Sequence, residues 1–513
     1  MKKILQFSLV LMMSLAHAAS PDPANYYNDR LLICLQPDLS IGEIATRGSV
    51  PITGIASLDQ LLELRGITSM EKYLPAATPD DIDEDIVLSN IYRIGISPGR
   101  SSIEQLITDF QTLGSILYAE QEAISRPLYT PNDSRYSQQW YMQKVEAPAA
   151  WDFWDIAGGD YPGNINIILA SVDTGVQYTH PDLWQRAWVN QAEIPATIFA
   201  SVDTDNDGIV TPVEIVAAVT NYNGDSFTNL QDALHPNSPF MDGIDGDDWD
   251  NNPTTYVDDL LGWDVAGTTS GNDPDNDPMG AFTGPSDAGT RMHGTHVAGL
   301  LAAATDNSTG IASVVYNATF MPVKVLYDQG DGGISGGYSG MLYAAKAGAN
   351  ILNMSWGGGG YSASDQATVN LIYDSYGALL VAAAGNGNDN GTPSSTPHYP
   401  SGYDHVVSVT ALGSADNFSW ANYGNGDGNT QFFGVDLSAP GENIHSTVFT
   451  TAGSYQSWDG TSMASPLVAS CFGLLKAANP EQSNDWLVEN MMSTADPIDD
   501  INPNFAGQLG AGR

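Results

Sequence analysis

The sequence has 513 residues, 42% hydrophobic and 15% charged, enough apolar material for a large core and too much for a disordered chain. Its 17 Lys and Arg against 60 Asp and Glu give a net charge of −43, which argues against nucleic acid or anionic membrane as a partner and favours solubility in salt or the holding of cations. Two cysteines, Cys34 and Cys471, exclude a disulfide scaffold, and no interior apolar run approaches the ~20 residues of a membrane span.

The chain opens with Lys2 and Lys3, an apolar stretch over 4–15 and Ala16-His17-Ala18, the three parts of a secretory signal. Residues 1–18 are expected to be removed and the remainder secreted, to the medium, the periplasm or the cell surface. An exported chain with so few cysteines needs another staple, and a metal ion is the obvious one. Residues 19–128 read as a small α+β domain. Strand-like runs cover 30–36, 90–96 and 115–119, and Ile103, Leu106, Ile107 and Phe110 give 102–114 a helical period. Further on the pattern changes. Apolar runs within 164–172, 347–354, 377–384 and 405–412 are separated by Ala-rich helical stretches, which predicts an α/β domain over 129–513 with a mainly parallel sheet covered on both faces. A long acidic segment lies between Asp182 and His293, with an insertion at about 190–275.

Inside that segment, residues 203–214 form a twelve-position calcium loop. Oxygen ligands fall at Asp203, Asp205, Asp207, the Ile209 carbonyl, Thr211 (through water) and Glu214, with Gly208 at the turn. Two more acidic runs, 242–259 and 273–277, fit either further calcium sites or solvated loop. Three other motifs suit nucleophilic catalysis. Ser171-Val-Asp-Thr-Gly175 puts Asp173 at the carboxyl end of a buried strand, where open α/β sheets carry their sites. Met292-His-Gly-Thr-His-Val-Ala-Gly299 puts His293 near the start of a helix, and Asp459-Gly-Thr-Ser-Met-Ala-Ser-Pro466 puts Ser462 at the N-terminus of another, whose unpaired N–H groups favour negative charge. A serine hydroxyl is a weak nucleophile until a base takes its proton; histidine does so near neutral pH, and a carboxylate fixes its tautomer. Val381-Ala-Ala-Ala-Gly-Asn386 adds a side-chain amide at a strand end that can donate to an oxyanion.

These four motifs, in this order, resemble the subtilisin-like serine peptidases (subtilases), and the resemblance covers about 129–513. It implies a three-layer α/β sandwich and a serine endopeptidase working through an acyl-enzyme, with Asp173, His293 and Ser462 as triad and Asn386 in the oxyanion hole. His296 carries no role and is expected to be structural. The resemblance implies protein or peptide substrates bound as an added strand, with Ser355, Trp356 and Gly357 on one wall and Gly330, Gly332 and Ile334 on the other. Trp356 and Ile334 suggest apolar or aromatic pockets, and His398 falls near the floor of the primary pocket. Similarity to thermitase-like members implies a second calcium site from Asp133, Asp182 and Asn307 with the carbonyls of Ala304, Thr309 and Ile311. Residues 19–128 resemble subtilase propeptides, which assist folding and act as intramolecular inhibitors; this implies a self-processed zymogen cut near 126–131. A monomer is expected. Asp173 and His293 lie 120 residues apart, against a few tens in the family, so the insertion must loop out without separating them. A calcium-binding scaffold on an inactive peptidase fold and a processing peptidase with one dedicated substrate remain alternatives.

Overall fold

The computed structural model describes residues 26–42, 44–96, 102–123, 129–247, 252, 255–267, 273–280, 288–328, 333–388, 391–424, 434–450 and 453–513. Residues 1–18, expected to be a signal, and Gly330 and Gly332 lie outside these residues. The chain divides into two compact units, 1–127 and 128–513.

In the first unit, β1 (Tyr26–Leu35), α1 (Ala56–Arg65), β2 (Ser69–Lys72), β3 (Ile91–Gly95), α2 (Ile103–Gln111) and β4 (Ile116–Ala123) follow in sequence. The strands form an antiparallel sheet in the order β2-β3-β1-β4, the split βαβ arrangement. The α2 helix starts where the sequence sets its cap: the Ser102 hydroxyl accepts the Gln105 N–H. Leu106 and Phe110 then pack with Leu31, Ile33 and Ile94 of the sheet. Cys34 is a free, buried thiol in β1.

The second unit is built on β5 (Gly163–Asp173), β6 (Trp263–Asp264), β7 (Asn317–Lys324), β8 (Ile351–Met354), β9 (Leu379–Ala383), β10 (Val406–Leu412) and β11 (Leu437–Pro440). All seven are parallel, in the order β6-β7-β5-β8-β9-β10-β11. Strand periodicity sorts the apolar residues onto two faces. Leu169, Ile351, Leu379, Val381 and Val409 pack with Val297 and Leu301 of α3 (Ala288–Ala302), and with Leu467 and Phe472 of a long helix, Thr461–Ala478. Ala170, Val172, Leu352, Leu380 and Ala382 face the opposite way, onto Met341 and Tyr343 of α4 (Gly337–Lys346) and Val369 and Ile372 of α5 (Ala363–Tyr376). This is the expected three-layer sandwich. The helix Thr461–Ala478 is α6.

The pattern reading missed β7, whose Pro322 argues against an interior strand. The structure tolerates it because β6 pairs only with Val323 and Lys324, so Pro322 lies beyond that ladder. The insertion also differs from a segment that merely loops out. Val202, Val210, Ile215, Leu230, Phe240 and Leu261 join the main core, so these turns fold onto the domain through apolar burial.

Candidate active site

Asp173 ends β5 and is 1% exposed. His293 lies in the second turn of α3, and its Nδ1 is 2.7 Å from Asp173 Oδ1. A carboxylate only accepts, so Nδ1 donates and Nε2 keeps the lone pair a base needs. Burial by itself would depress the His293 pKa; the Asp173 charge and hydrogen bond outweigh it, and the net shift is upward. Asp173 Oδ1 also accepts from the Thr174 N–H (2.7 Å), and Gly294 N–H donates to Thr174 Oγ1 (2.9 Å), fastening α3 to the end of β5.

Ser462 is the second residue of α6, so its N–H belongs to the first turn, where intrahelical acceptors are lacking. Its hydroxyl donates to the Ser355 carbonyl at 2.9 Å, and the Ser355 hydroxyl donates back to the Ser462 carbonyl at 2.9 Å. The second bond has a cause in the sequence. In a helix the Ser462 carbonyl would accept from residue 466, but Pro466 has no N–H, and Ser355 supplies the missing donor. Asn353 Nδ2 orients the Ser355 hydroxyl (2.8 Å), and Ser465 Oγ holds Asn353 Oδ1 (2.5 Å). For Ser462 to act as a nucleophile, its hydroxyl proton would have to swing from Ser355 toward His293; catalytic hydrogen bonds often form only once substrate is bound.

Asn386, just beyond β9, accepts at Oδ1 from Thr461 N–H (3.0 Å) and Thr461 Oγ1 (2.8 Å). With the amide oxygen pinned to the start of α6, Nδ2 has no hydrogen-bond partner among the described residues. Trp458, in the strand Ser454–Trp458, stacks on His296 at 4.6 Å and lies 6.4 Å from His293. His296 is fully buried and donates from Nε2 to the Gln456 carbonyl; burial pushes its pKa down to about 3, so it stays neutral, in keeping with a structural role.

Of the residues expected on the substrate walls, Ser355, Trp356, Gly357 and Ile334 lie among the described residues. Trp356 Nε1 donates to the Val172 carbonyl (2.7 Å), locking the indole to the strand that carries Asp173. Trp356, Ile334, Tyr338, Gly357 and Tyr399 line a pocket of about 630 Å³. His398, Gly358, Gly387, Thr396 and Asn422 line another of about 660 Å³. Burial lowers the His398 pKa. A side chain at Gly357 would run into the His398 ring and the Tyr399 carbonyl, which accounts for glycine there.

Residues 203–214 form a loop between two short helices, Ala196–Val202 and Pro212–Ala218. Gly208 takes φ +87°, and its N–H donates to Asp203 Oδ2 (3.1 Å). Asp203 Oδ1 is buried with no hydrogen-bond partner, an oxygen fitted to a cation. The Glu214 carboxylate accepts four hydrogen bonds, from the N–H and hydroxyl of Thr204 and of Thr211. Burial would raise its pKa, but these donors hold it at about 2. A metal ion must displace some of them, the rotatable threonine hydroxyls first. At the second expected site, Asn307 Nδ2 donates to Asp182 Oδ1 (2.9 Å), Ile311 N–H to Asp182 Oδ2 (2.8 Å) and Asp306 N–H to Asp133 Oδ2 (2.8 Å). Asp133 Oδ1 is buried without a partner. Burial pushes Asp133 up to about 7, with the Asp182 charge adding to it, and pushes Asp182 up to about 6. Cys471 is a free, half-buried thiol, and burial takes its pKa up to about 12.

The sequence profile of the subtilase family (Peptidase_S8) matches residues 164–512, and the chain belongs to that family. It is a serine-type endopeptidase. It is 30% identical to thermitase of Thermoactinomyces vulgaris over 373 residues, 72% of this chain and 93% of that protein. It is 31% identical to the halolysin-like extracellular serine protease of Natrialba magadii over 381 residues, 74% of this chain and 51% of that protein. A protease structure from Pseudoalteromonas arctica matches with TM-score 0.51 at 23% identity, over 75% of this chain and 96% of that one, which supports the fold. No helix among the described residues is long and apolar enough to cross a membrane.

Proposed function

We propose that the enzyme is a secreted, calcium-stabilised endopeptidase made as a self-processed zymogen. The Ser462 hydroxyl gives its proton to His293 Nε2 as its oxygen bonds to the scissile carbonyl carbon. Asp173 steadies the resulting imidazolium, and Asn386 Nδ2 with the Ser462 N–H receives the oxyanion. The intermediate collapses as His293 hands the proton to the leaving amine, giving an acyl-enzyme that water then hydrolyses. Peptide binds as an added strand, with apolar or aromatic side chains in the pocket of Trp356 and Ile334. The observation that carries this reading is the 2.7 Å contact between a buried Asp173 and His293 at the sheet's carboxyl edge.

Calcium at 203–214 and at Asp133, Asp182 and Asn307 would act structurally, neutralising buried carboxylates. The orphaned oxygens of Asp203 and Asp133 support this. The extracellular relative supports export, and the self-contained first unit supports a removable propeptide. The test follows wild type and Ser462→Ala on a denaturing gel, with calcium present. Wild type alone should lose the unit ending near Pro127 and be labelled by an active-site-serine reagent. Persistence of both proteins at full length, with no labelling of folded wild type, would favour the inactive scaffold.

A further inference from the structure

We infer that Glu193, Asp247 and Asp259 form a separate cation site in the insertion, and that its ion is calcium. The three carboxylates come from three separate segments, and one oxygen of each lies within 4.8 Å of the others. Oxygens that share one calcium at 2.3–2.6 Å can be no more than about 5 Å apart, so all three meet the condition. Glu193 is 4% exposed and Asp259 is fully buried.

Neutral groups satisfy part of the cluster. Gly246 N–H donates to Glu193 Oε1 (2.6 Å), Asn190 Nδ2 to Asp247 Oδ2 (3.0 Å) and Asp259 Oδ1 (2.8 Å), and the Tyr343 hydroxyl to Asp259 Oδ2 (2.6 Å). Glu193 Oε2 remains buried with no hydrogen-bond partner, on a carboxyl that reaches into the cluster. Among the described residues, Glu193 and Asp259 form no ion pair with Lys, Arg or His. A buried carboxylate facing two others needs a proton or a cation, since isolated buried charge is costly. An all-oxygen donor set with no nitrogen or sulfur selects a hard ion, and an irregular three-segment cage suits calcium better than octahedral magnesium.

The site differs from the 203–214 loop but is joined to it. Gln191, two residues before Glu193, donates to the Val210 carbonyl (2.9 Å) and accepts from the Val210 N–H (2.8 Å). On the other side, Tyr343 belongs to α4, which packs on the sheet.

The experiment uses the full chain carrying Ser462→Ala, stripped with chelator and titrated with calcium chloride by calorimetry. Glu193→Gln should lower the calcium stoichiometry by one, and Glu193→Gln with Glu214→Gln should bind one fewer than Glu214→Gln alone. An unchanged stoichiometry and affinity in folded Glu193→Gln, judged by near-ultraviolet dichroism, overturns the assignment. If Glu193→Gln does not fold, Asp247→Asn at the half-buried member decides by the same criterion. Loss of one equivalent, or at least tenfold weaker binding in one step, upholds the site; an unaltered isotherm overturns it. A step that is filled by magnesium but not by calcium also overturns it.

Discussion

The sharpest single test of the site is Asn386→Asp. The Asn386 oxygen is committed to Thr461, by bonds of 3.0 Å from the N–H and 2.8 Å from the hydroxyl. An aspartate can keep both bonds with one oxygen, so α6 keeps its start and the fold keeps its stability. The other oxygen then stands where Nδ2 stood, and a donor becomes an acceptor with negative charge. Loss of one oxyanion donor costs about 2.7–4 kcal/mol, or 10²–10³ in kcat, a figure that comes from subtilisin of the same family. Repulsion between the new carboxylate and the developing oxyanion adds to this, so kcat should fall by at least ~10³ while KM moves little. Thr461→Val is the control. It removes one of two anchors on Asn386 and leaves Nδ2 in place, so kcat should fall only by the worth of one hydrogen bond, ~1 kcal/mol or roughly fivefold; it also takes the acceptor from the buried Gly385 N–H (3.2 Å), so the melting temperature should drop too. Steady-state kinetics on a chromogenic peptide, with the melting temperature measured in parallel, reads both. An Asn386→Asp enzyme within tenfold of wild-type kcat would refute the placement of Nδ2.

Three further outcomes follow from the same geometry. The acid limb of kcat/KM should lie above pH 6.5, because Asp173 outweighs the burial that depresses His293 and the base works only when neutral; in Asp173→Asn burial acts alone, the limb should move below 6.5 and kcat should fall by about 10⁴, and an unmoved limb would refute the coupling. Ser355→Ala deprives the Ser462 carbonyl and the fully buried Asn353 Nδ2 of partners, at roughly 1–3 kcal/mol for each group left unsatisfied, so the Ser462→Ala background should melt several degrees lower by calorimetry; equal melting points would refute the Pro466 argument. In chelator, stability should fall as pH rises from about 4 to 7, because the folded state holds protons on Asp133 (about 7), Asp182 (about 6) and Glu193 (about 7) that the unfolded chain has released; saturating calcium should remove the slope, and urea melts in chelator with no slope would refute it.

The parts legible in the sequence were those with local signatures. Asp173, His293, Asn386 and Ser462 each sit in a short motif at the end of a strand or in the opening turns of a helix, and apolar runs separated by Ala-rich helical stretches disclosed a sheet covered on both faces. The twelve-residue loop was equally local, because its candidate ligands follow one another along the chain. What stayed hidden depends on contacts distant in sequence. Nothing near Ser355 states that it caps the Ser462 carbonyl 107 residues away; the available clue was Pro466, four residues beyond Ser462, which leaves that carbonyl without a helical donor. The acidic run 242–259, open between a calcium site and solvated loop, holds Asp247 and Asp259; Glu193 stayed hidden because only the folded insertion brings it to them. β7 went unread in the sequence; it carries Pro322, which disfavours interior strands, and the register with a two-residue edge strand makes that proline harmless.

Charge links these observations. Asp264 is as buried as Asp182 or Asp259, yet the chain balances it itself: Lys324 Nζ lies 2.5 Å from Asp264 and 2.7 Å from Asp328. At Asp133 and Asp182, and again at Glu193 and Asp259, the neighbours are other carboxylates, amides and hydroxyls. With 17 basic residues against 60 acidic ones, the chain has few cations to place inside, and it places one where the insertion joins the sheet beside β5. Asp133, Asp182, Glu193 and Asp259 form no such ion pair among the described residues and must take protons or metal ions. Those acids sit where the insertion turns back and where the segment near residue 133 meets the 306–311 loop, whereas the sheet and α6 are held by apolar packing. Withdrawal of metal should therefore loosen these turns before it disturbs the sheet, and in a peptidase loosened turns are where self-cleavage begins.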